Sequence, residues 1–515
     1  MTTLVRRAGP AVLLLAMWQL AAAVAAGQFV LAGPMAVLAW LADNPGLITR
    51  ALSVTLTNAA WGFLAGNLAA VLIAVAGMLW PRALGLLTGL ALVVFCLPLV
   101  ATGPILRVMM GPGNGPQITL AALAVYYTTL IPLLAGLRAA PSVWFDLVAS
   151  YGRGRLAALV HVRARASLPY LLAGLQIAAP AAFLGAMVGE FTGAERGLGV
   201  LTIRFTRDLD VPALWSVAIV AAGVSIAAYL AVGALGRRFR LERPPVILAP
   251  PRLSRGSAAS RIGSATVLVL AVLALWWGGT EALHLNPFFA RRPPDLLAAL
   301  TSAPDAAATR QALLQAAAQT AALVLPGYLA GLALGAALAV LLFLAPVLSG
   351  LVTPLAIALR SVPIVTTAPL VVLLLGRGAP GTIALVALMV FFPTFVACQH
   401  GLGQAPGQIL DILRGYAAGP LKQLVHVRIP AMLPAFFASA RMGVPAAILA
   451  ATVAEWLATG RGLGNLMVLS ASVSDYTMLW LTVVLVTMAS ALCYGGVAWI
   501  ERRVLRVFAP EQVDR

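Results

Sequence analysis

The chain contains twelve long apolar segments, and this pattern limits its possible folds more than any other feature. A helix needs about 20 mainly apolar residues to cross the hydrocarbon core of a bilayer. The chain is 61% hydrophobic and 10% charged, whereas soluble domains are about 45–50% apolar and about 25% charged. The sequence therefore predicts an all-α polytopic membrane protein. The predicted spans lie near residues 9–26, 52–79, 83–106, 117–138, 168–190, 212–235, 264–281, 317–344, 348–373, 380–400, 433–455 and 477–499.

The second half of the chain repeats the first half at a constant shift of 265 residues. The shift aligns Thr55 with Thr320 and places the segment LVHVR at both 159–163 and 424–428. Generic apolar composition does not preserve polar positions at one shift, so we predict two fused copies of one module. Six spans per module is an even number, so both copies are expected to insert with the same orientation. The predicted parts are module one at 1–240, a cytoplasmic linker at 241–262 and module two at 263–515.

The basic residues lie in short stretches between the apolar segments, and the net charge of the chain is +18. These positions are typical of orientation signals rather than of a nucleic-acid surface, because cytoplasmic loops carry an excess of Lys and Arg. The island 153–165, the linker and Arg502–Arg506 share one side when both termini are cytoplasmic, which is our prediction. The first apolar segment also resembles a signal peptide. The similar internal segment 265–283 favours an uncleaved helix.

Two equivalent basic loops read PSVWFDLVASYGRGRLAALVHVRARASLP (141–169) and PGQILDILRGYAAGPLKQLVHVRIPAMLP (406–434). Each loop predicts two short helices joined by a turn, with one apolar face packed on the helix bundle. The free face of the first loop is expected to carry Arg153, Arg155, His161 and Arg163. An alternative is that the loops serve only as signals for orientation in the membrane, but such a signal needs only Arg residues, in any order. The shared Asp, Tyr, His and Pro positions favour a surface that binds the same partner twice.

The loops resemble the EAA loop of bacterial ABC importer permeases, in which an acidic residue and two small residues precede a glycine, a helix and a Leu-Pro pair. Here the acidic residue is Asp rather than Glu, and copy two carries Ala417 at a glycine position. In that family each such loop is a coupling helix that docks on an ATPase subunit. The resemblance places these residues at the contact: Asp146, Tyr151, Gly152, Gly154, His161 and Arg163 in copy one, and Asp411, Tyr416, Gly419, His426, Arg428 and Pro430 in copy two.

Two further segments, SVPIVTTAPLVVLLLGRG (361–378) and AEWLATGRGLGNLM (454–467), are similar to permeases of the nitrate, sulfonate and taurine group. The resemblance covers nearly the whole chain. It implies two tandem six-helix type I ABC permease modules, with 12 transmembrane helices in the bacterial cytoplasmic (inner) membrane. It also implies three kinds of partner: two ABC ATPase subunits, a periplasmic or extracellular substrate-binding protein, and the lipid bilayer.

The chain has no recognisable motif for hydrolysing ATP. A P-loop ends in Lys followed by Ser or Thr after a glycine-rich turn, and the one lysine of the chain, Lys422, lies in GPLKQL. We therefore expect that the chain is not an enzyme on its own, that it holds no cofactor, and that partner subunits use the ATP. The three cysteines lie in apolar stretches without metal-ligand spacing, so no metal site is expected.

Two arginines within apolar segments break the symmetry of the repeat. Arg441 stands where copy one has Gln176, and Arg360 stands where copy one has Phe95. Ionisable residues inside a membrane often mark a substrate pathway, so these residues and Gln176 are candidates for a pathway that suits an anionic solute. The alternative is that the arginines snorkel or bind backbone carbonyls.

Glu190 and Glu455 end the fifth predicted span of each module, next to a Gly-Leu-Gly segment. They are candidates for the external (periplasmic) face, either at a contact with a substrate-delivery protein or in a structural turn held by Arg196 and Arg461. We favour the structural turn.

Several other paired residues have two interpretations each. Asp146 and Asp411 are candidates for capping a helix or for binding an arginine of a partner. His161 and His426 are interpreted as polar contacts rather than as pH sensors. Trp215 and Trp480 are interpreted as aromatic residues at the membrane interface.

The favoured hypothesis is a binding-protein-dependent ABC importer permease that moves a small polar, anionic solute inward by alternating access. The alternative is a stand-alone secondary transporter with parallel repeats. A secondary transporter is expected to need coupling carboxylates near the middle of the membrane, and the sequence indicates none in either copy.

Overall fold

The computed structural model describes residues 15–24, 31–238, 258–345, 364–376 and 378–508, and all regular secondary structure among them is helical. Module one contains α1 (Leu15–Val24), α2 (Pro34–Asp43), α3 (Pro45–Leu79), α4 (Leu84–Phe95), α5 (Leu99–Met110), α6 (Gly115–Arg138), α7 (Ser142–Ser150), α8 (Arg155–Ala158), α9 (Ala164–Phe191), α10 (Leu198–Asp208) and α11 (Val211–Arg238). Module two contains α12 (Ala258–Ala282), α13 (Pro293–Thr301), α14 (Ala306–Leu344), α15 (Ile364–Leu375), α16 (Ala379–Gly403), α17 (Gly407–Gly415), α18 (Pro420–Gln423), α19 (Ile429–Ala454), α20 (Gly462–Ser472) and α21 (Tyr476–Phe508). The predicted linker lies largely outside the described residues, and α12 begins inside it.

Nine helices in the described part of the chain are long and apolar enough to cross a membrane, or ten if α4 and α5 together form one span. Two of the twelve predicted spans are described only in part: the first, over α1, and the third of module two, over α15. The predicted span near 83–106 is not one continuous helix, because α4 and α5 meet at an angle of 94°. The break falls just before Pro98, which has no N–H and disfavours helix in the residue before it.

Small residues allow the long helices of each module to pack closely. A Cβ atom at Gly62 of α3 would overlap Ala121 of α6, and a Cβ at Gly327 of α14 would lie 2.7 Å from Val386 of α16. Small residues at such crossings are typical of membrane helices, which associate by close packing rather than by the hydrophobic effect. The bundle of each module is therefore built on α3, α6 and α9, or on their equivalents α14, α16 and α19.

The two modules interlock through their third spans. Helix α5 of module one packs against α19, α20 and α21 of module two. In return, α15 of module two packs against α9, α10 and α11 of module one. One continuous apolar core contains buried residues from both modules, so the repeat in the sequence does not produce two separate bodies.

An approximate two-fold axis runs along the bundle. Leu184 and Leu449 are equivalent residues that line the same cavity, and seven residues further along Phe191 and Trp456 contact each other, with ring centroids 5.1 Å apart. Because equivalent residues face each other at two heights, first across the cavity and then in the ring contact, α9 and α19 run in the same direction. The two basic loops that precede them therefore lie at the same end of the molecule, which we call the loop face.

Candidate functional site

The two basic loops have the same structure. Helices α7 and α8 of the first loop correspond residue for residue to α17 and α18 of the second at the shift of 265. The turn between them uses a residue with positive φ in both copies, Gly152 at +66° and Ala417 at +54°. A residue with a Cβ costs roughly 1–2 kcal/mol in this conformation. The turn is thus preserved even where the glycine is not, and the predicted helix-turn-helix is present in both loops.

Both LVHVR segments form a π-helical turn that joins the loop to the following long helix. Such turns are rare and occur frequently at functional sites. The Leu and Val at the first and fourth positions are buried in both copies. The histidines stay exposed, and the Nδ1 atoms of His161 and His426 lie 3.0 Å from the carbonyl oxygens of Ala157 and Lys422.

The arginine of each segment binds its own chain. Arg163 donates a 2.9 Å hydrogen bond to the carbonyl of Leu137, and Arg428 donates a 2.8 Å bond to that of Leu402. Both carbonyls lie in the last turn of a long helix, where a positive charge is favourable. The prediction that Arg163 lies on the free face is wrong, because its guanidinium also stacks 4.5 Å from the ring of Phe145. Arg153 is exposed as predicted.

The predicted packing of an apolar face on the bundle is present only in part. Leu159 and its equivalent Leu424 are buried, as is Leu410 of α17, whereas most other large apolar side chains of the two loops are exposed. Tyr151 is 76% exposed and Tyr416 is 82% exposed. Other exposed apolar side chains in the two loops are Val143, Trp144, Leu147, Leu156, Val160, Ile409, Ile412, Leu421 and Val425. Each loop thus presents an apolar surface that nothing in the described part of the chain covers.

Asp146 and Asp411 lie in the middle of α7 and α17 and cap neither helix. The capping interpretation is therefore wrong. Asp411 forms an exposed ion pair with Arg414, at 2.9 Å. Gly154 and Gly419 stand at the exposed start of the second short helix, and Pro430 lies half-buried in the first turn of α19.

A cavity of about 820 Å³ lies on the two-fold axis between the modules. Its wall is largely apolar and is formed by equivalent residues of both copies. These pairs are Leu123 and Leu388, Ile177 and Met442, Pro180 and Pro445, Ala181 and Ala446, and Leu184 and Leu449. No charged side chain belongs to the wall among the residues that the structure describes.

The predicted pathway residues Arg441 and Gln176 are turned toward their own modules. Arg441 is 8% exposed and forms a 3.0 Å ion pair with Glu501 of α21. Gln176 donates a 3.3 Å hydrogen bond to the carbonyl of Tyr229 in α11. Neither lines the cavity, and Arg360 lies outside the described residues. Glu501 was not predicted from the sequence, because it lies just beyond the predicted span 477–499 and beside Arg502.

Glu190 and Glu455 are fully buried, at 1% and 0% exposure, so neither carboxylate is open to a partner. Glu190 accepts a 2.7 Å hydrogen bond from the N–H of Gly199, and Glu455 accepts one from Gly464. The structural-turn interpretation is therefore correct in its main point. The predicted ion pairs with arginines are absent from the described residues.

A threonine of the second span completes each of these turns, a contact that was not predicted from the sequence. Thr55 accepts a 2.9 Å bond from the N–H of Leu198. Thr320 accepts the same bond from Leu463, and it donates a 2.7 Å bond to Glu455. These two threonines were the first aligned pair of the repeat, so their recurrence was the available signal.

The tryptophans interpreted as interface residues pair with the first span of their own module. Trp215 lies 5.7 Å from Trp18, and Trp480 lies 5.2 Å from Trp276, measured between ring centroids. Trp480 also donates a 2.8 Å hydrogen bond to the carbonyl of Phe289. These pairs attach the first helix of each module to its last span.

The sequence profile of the family described as "Binding-protein-dependent transport system inner membrane component" matches residues 66–241 and 327–506. The chain belongs to this family. The two matches fall one in each module, so the chain is a polytopic ABC transporter permease with a tandem duplication. Proteins of this family are membrane components and not enzymes in themselves.

Similar proteins from bacteria carry related descriptions. A "Probable ABC transporter permease protein" of Haemophilus influenzae is 30% identical over 32% of this chain and 68% of its own length. The formylaminopyrimidine transport permease protein ThiX of Halalkalibacterium halodurans is 34% identical over 22% of this chain and 45% of its own length. The taurine transport system permease protein TauC of Escherichia coli is 24% identical over 40% of this chain and 75% of its own length.

Proposed function

We propose that this permease is the translocation subunit of an importer and that it moves a small solute inward by alternating access. Two separate ATPase subunits drive the cycle, one on each basic loop. A substrate-binding protein delivers the solute on the opposite face. The loop face is then cytoplasmic, as are both termini, and the membrane is the bacterial inner membrane.

The observation that carries this proposal is the pair of exposed apolar loop surfaces. Each surface is rigidly joined to a long helix by the buried Leu and Val of LVHVR and by the arginine bond to a neighbouring helix end. Large exposed apolar patches mark sites of protein interaction. A motion of a bound ATPase would reach α9 and α19, which line the cavity, through this rigid connection.

The alternative of a secondary transporter is less favoured because the buried carboxylates already have structural partners. Glu501 is paired with Arg441. Glu190 and Glu455 accept backbone hydrogen bonds in the external turns. A coupling carboxylate must bind and release a cation during transport, whereas these groups hold helices together.

The expectation of an anionic solute loses its basis at Arg441, because Glu501 balances the charge of that arginine. Similar permeases are described by their names as transporters of formylaminopyrimidine, riboflavin, aliphatic sulfonates and taurine. Both neutral and charged solutes are therefore represented among them.

The test is recovery of ATPase subunits with the tagged chain in a mild detergent. We expect a P-loop ATPase at two copies per chain for the wild type. Tyr151→Asp or Tyr416→Asp should each remove one copy, and the double variant should remove both. Leu209→Asp is the matched control, since Leu209 is an exposed apolar residue at the opposite face.

Recovery of the chain alone, with uptake that needs no ATP, would favour the secondary transporter. Equal recovery of the ATPase with the double variant and with the control would contradict the assignment of the loops as docking sites.

A further inference from the structure

We propose that the two basic loops hold two copies of one ATPase unequally. At the first loop the Asp146 carboxylate is open to a basic side chain of the ATPase, whereas at the second loop Arg414 already binds the equivalent carboxylate of Asp411. The first copy is therefore bound more tightly at low salt, and high salt removes the difference. The inference rests on the proposed function and describes the contact with the partner at the same loops.

The apolar part of the docking surface is the same in both loops. Each turn has a residue with positive φ, Gly152 in the first loop and Ala417 in the second. The tyrosine before that residue is exposed in both copies, at 76% for Tyr151 and 82% for Tyr416. Two copies of one ATPase would thus meet the same backbone and the same exposed ring. A difference in affinity must come from the side chains that vary around this common surface.

The surroundings of the two carboxylates differ. Asp146 is exposed on α7, and it forms no ion pair or hydrogen bond with any residue that the structure describes. Asp411 of α17 accepts a 2.9 Å hydrogen bond from Arg414, three residues later, a spacing that makes side chains neighbours on a helix surface. In α7 the position of Arg414 is taken by Ala149, which cannot form such a pair. One difference between the copies therefore separates an open carboxylate from a paired one.

A looser second loop does not account for this contrast, because both loops are anchored beside the carboxylate. Phe145, the residue before Asp146, lies 4.5 Å from the guanidinium of Arg163. Leu410, the residue before Asp411, is buried at 6% exposure. Each carboxylate is therefore carried by a helix that its neighbouring residue holds in place.

The paired carboxylate is the poorer partner for an incoming basic side chain. That side chain must displace Arg414 from Asp411, and it is repelled by the positive charge of the same arginine. An exposed ion pair changes an equilibrium constant by about two- to fivefold. Together the two effects predict a difference in affinity of about three- to tenfold between the loops. Salt screens exposed charges, with a Debye length of about 10 Å at 0.1 M and about 3 Å at 1 M, so the difference should disappear as KCl is added.

The test is equilibrium binding of the ATPase to the purified full chain in lipid nanodiscs without nucleotide. The probe is the P-loop ATPase that is recovered with the tagged wild-type chain. Tyr416→Asp leaves only the first loop for binding, and Tyr151→Asp leaves only the second. We expect the first loop to bind about three- to tenfold more tightly at about 50 mM KCl, and both loops to bind equally at about 500 mM.

Exchange of one residue between the loops should exchange their behaviour. Ala149→Arg, added to Tyr416→Asp, should lower the low-salt affinity of the first loop to that of the second. Arg414→Ala, added to Tyr151→Asp, should raise the affinity of the second loop to that of the first. Both positions are exposed, so neither change disturbs the core. Ala149→Gln adds a long side chain without charge, and this matched control should leave binding and its salt dependence unchanged.

Three results would each overturn the proposal: equal affinity of the two loops at low salt, equal behaviour of Ala149→Arg and Ala149→Gln, or recovery of two different ATPases, one at each loop. The proposed function would still stand as long as two ATPase subunits are recovered. Failure to recover any ATPase with the wild-type chain would reject the proposed function itself.

Discussion

The arginine and the histidine of LVHVR lie two residues apart but face different surroundings. Arg163 and Arg428 reach the end of a neighbouring long helix, whereas His161 and His426 stay exposed on the loop. A guanidinium is well suited to the first position because it donates to a carbonyl and stacks on an aromatic ring at the same time. The repeated segment therefore supplies both an arginine that binds a neighbouring helix and a histidine that stays exposed.

The ion pair between Arg441 and Glu501 leads to a prediction at the scale of single residues. Both side chains are about nine-tenths buried, at 10% and 9% exposure. Removal of one partner from a buried pair leaves an uncompensated charge and costs about 3–5 kcal/mol. We expect Arg441→Met to lower the thermal unfolding midpoint of the chain in nanodiscs, and Arg441→Met with Glu501→Gln to recover most of the loss.

The double variant also separates a structural role from a transport role. If Arg441 contacts the solute, uptake should stay low in the double variant even after stability returns. If the double variant is as unstable as the single one, the pair is not what holds α19 to α21.

At the scale of helices, the two glutamate turns bring an aromatic pair together at the end of the bundle opposite the loop face. Each turn is closed by a buried glutamate, a threonine and two backbone N–H groups. Phe191 and Trp456, the residues that follow the glutamates, contact each other across the two-fold axis. The turns therefore position this contact between the two modules, at the end of the bundle opposite the loop face.

We predict that fixing this aromatic contact stops transport. Phe191→Cys with Trp456→Cys, joined by a short thiol-reactive cross-linker in a Cys493→Ser background, should abolish uptake, because α9 and α19 must separate there to admit the solute. Cys493 is replaced because it is exposed. The single-cysteine variants treated with the same reagent are the controls. Full uptake by the cross-linked double variant would show that the solute enters elsewhere.

At the scale of the whole molecule, each module supplies part of the other's packing. Helix α5 fills the space beside α19–α21, and α15 fills the equivalent space beside α9–α11. The apolar core is continuous across the two copies. The fusion therefore joins two halves that already have a large common interface.

We expect the two halves, expressed as separate chains 1–240 and 241–515, to associate without the covalent connection. A tag on the first half should recover the second half in equal amount, with the same ATPase copies as the intact chain. A variant with Ile105→Arg, which puts a charge into the shared core at α5, is the control that should separate them. Failure of the unmodified halves to associate would show that the fusion is needed for assembly.

Much of the fold followed from local patterns. Apolar length located α6 and α16 to within a few residues, because a span must be long and apolar whatever its neighbours are. Helix α14, by contrast, begins at Ala306, well before its predicted span at 317–344. The repeat identified Glu190 and Glu455 as equivalent. It did not reveal that threonines 135 residues away along the chain bind beside them, since the recurrence of a polar residue does not specify its partner.

The candidate site was predicted less completely. The loops were located correctly and their helix-turn-helix was foreseen. The buried and exposed faces were assigned correctly only in part, because an apolar side chain such as Leu147 is equally consistent with core packing and with a docking surface. The assignment of Arg441 to the substrate pathway did not include its ion-pair partner, because Glu501 lies 60 residues further along the chain.

The sequence alone determined the number of modules, the class of membrane protein and the positions of the basic loops. Each of these depends on length, composition or repetition along the chain. Folding in three dimensions decided the break between α4 and α5, the exchange of helices between modules, the pairing of Arg441 and the apolar wall of the cavity. These features depend on contacts between distant segments, whose energies are set by which surfaces meet and by how well they fill the space between them.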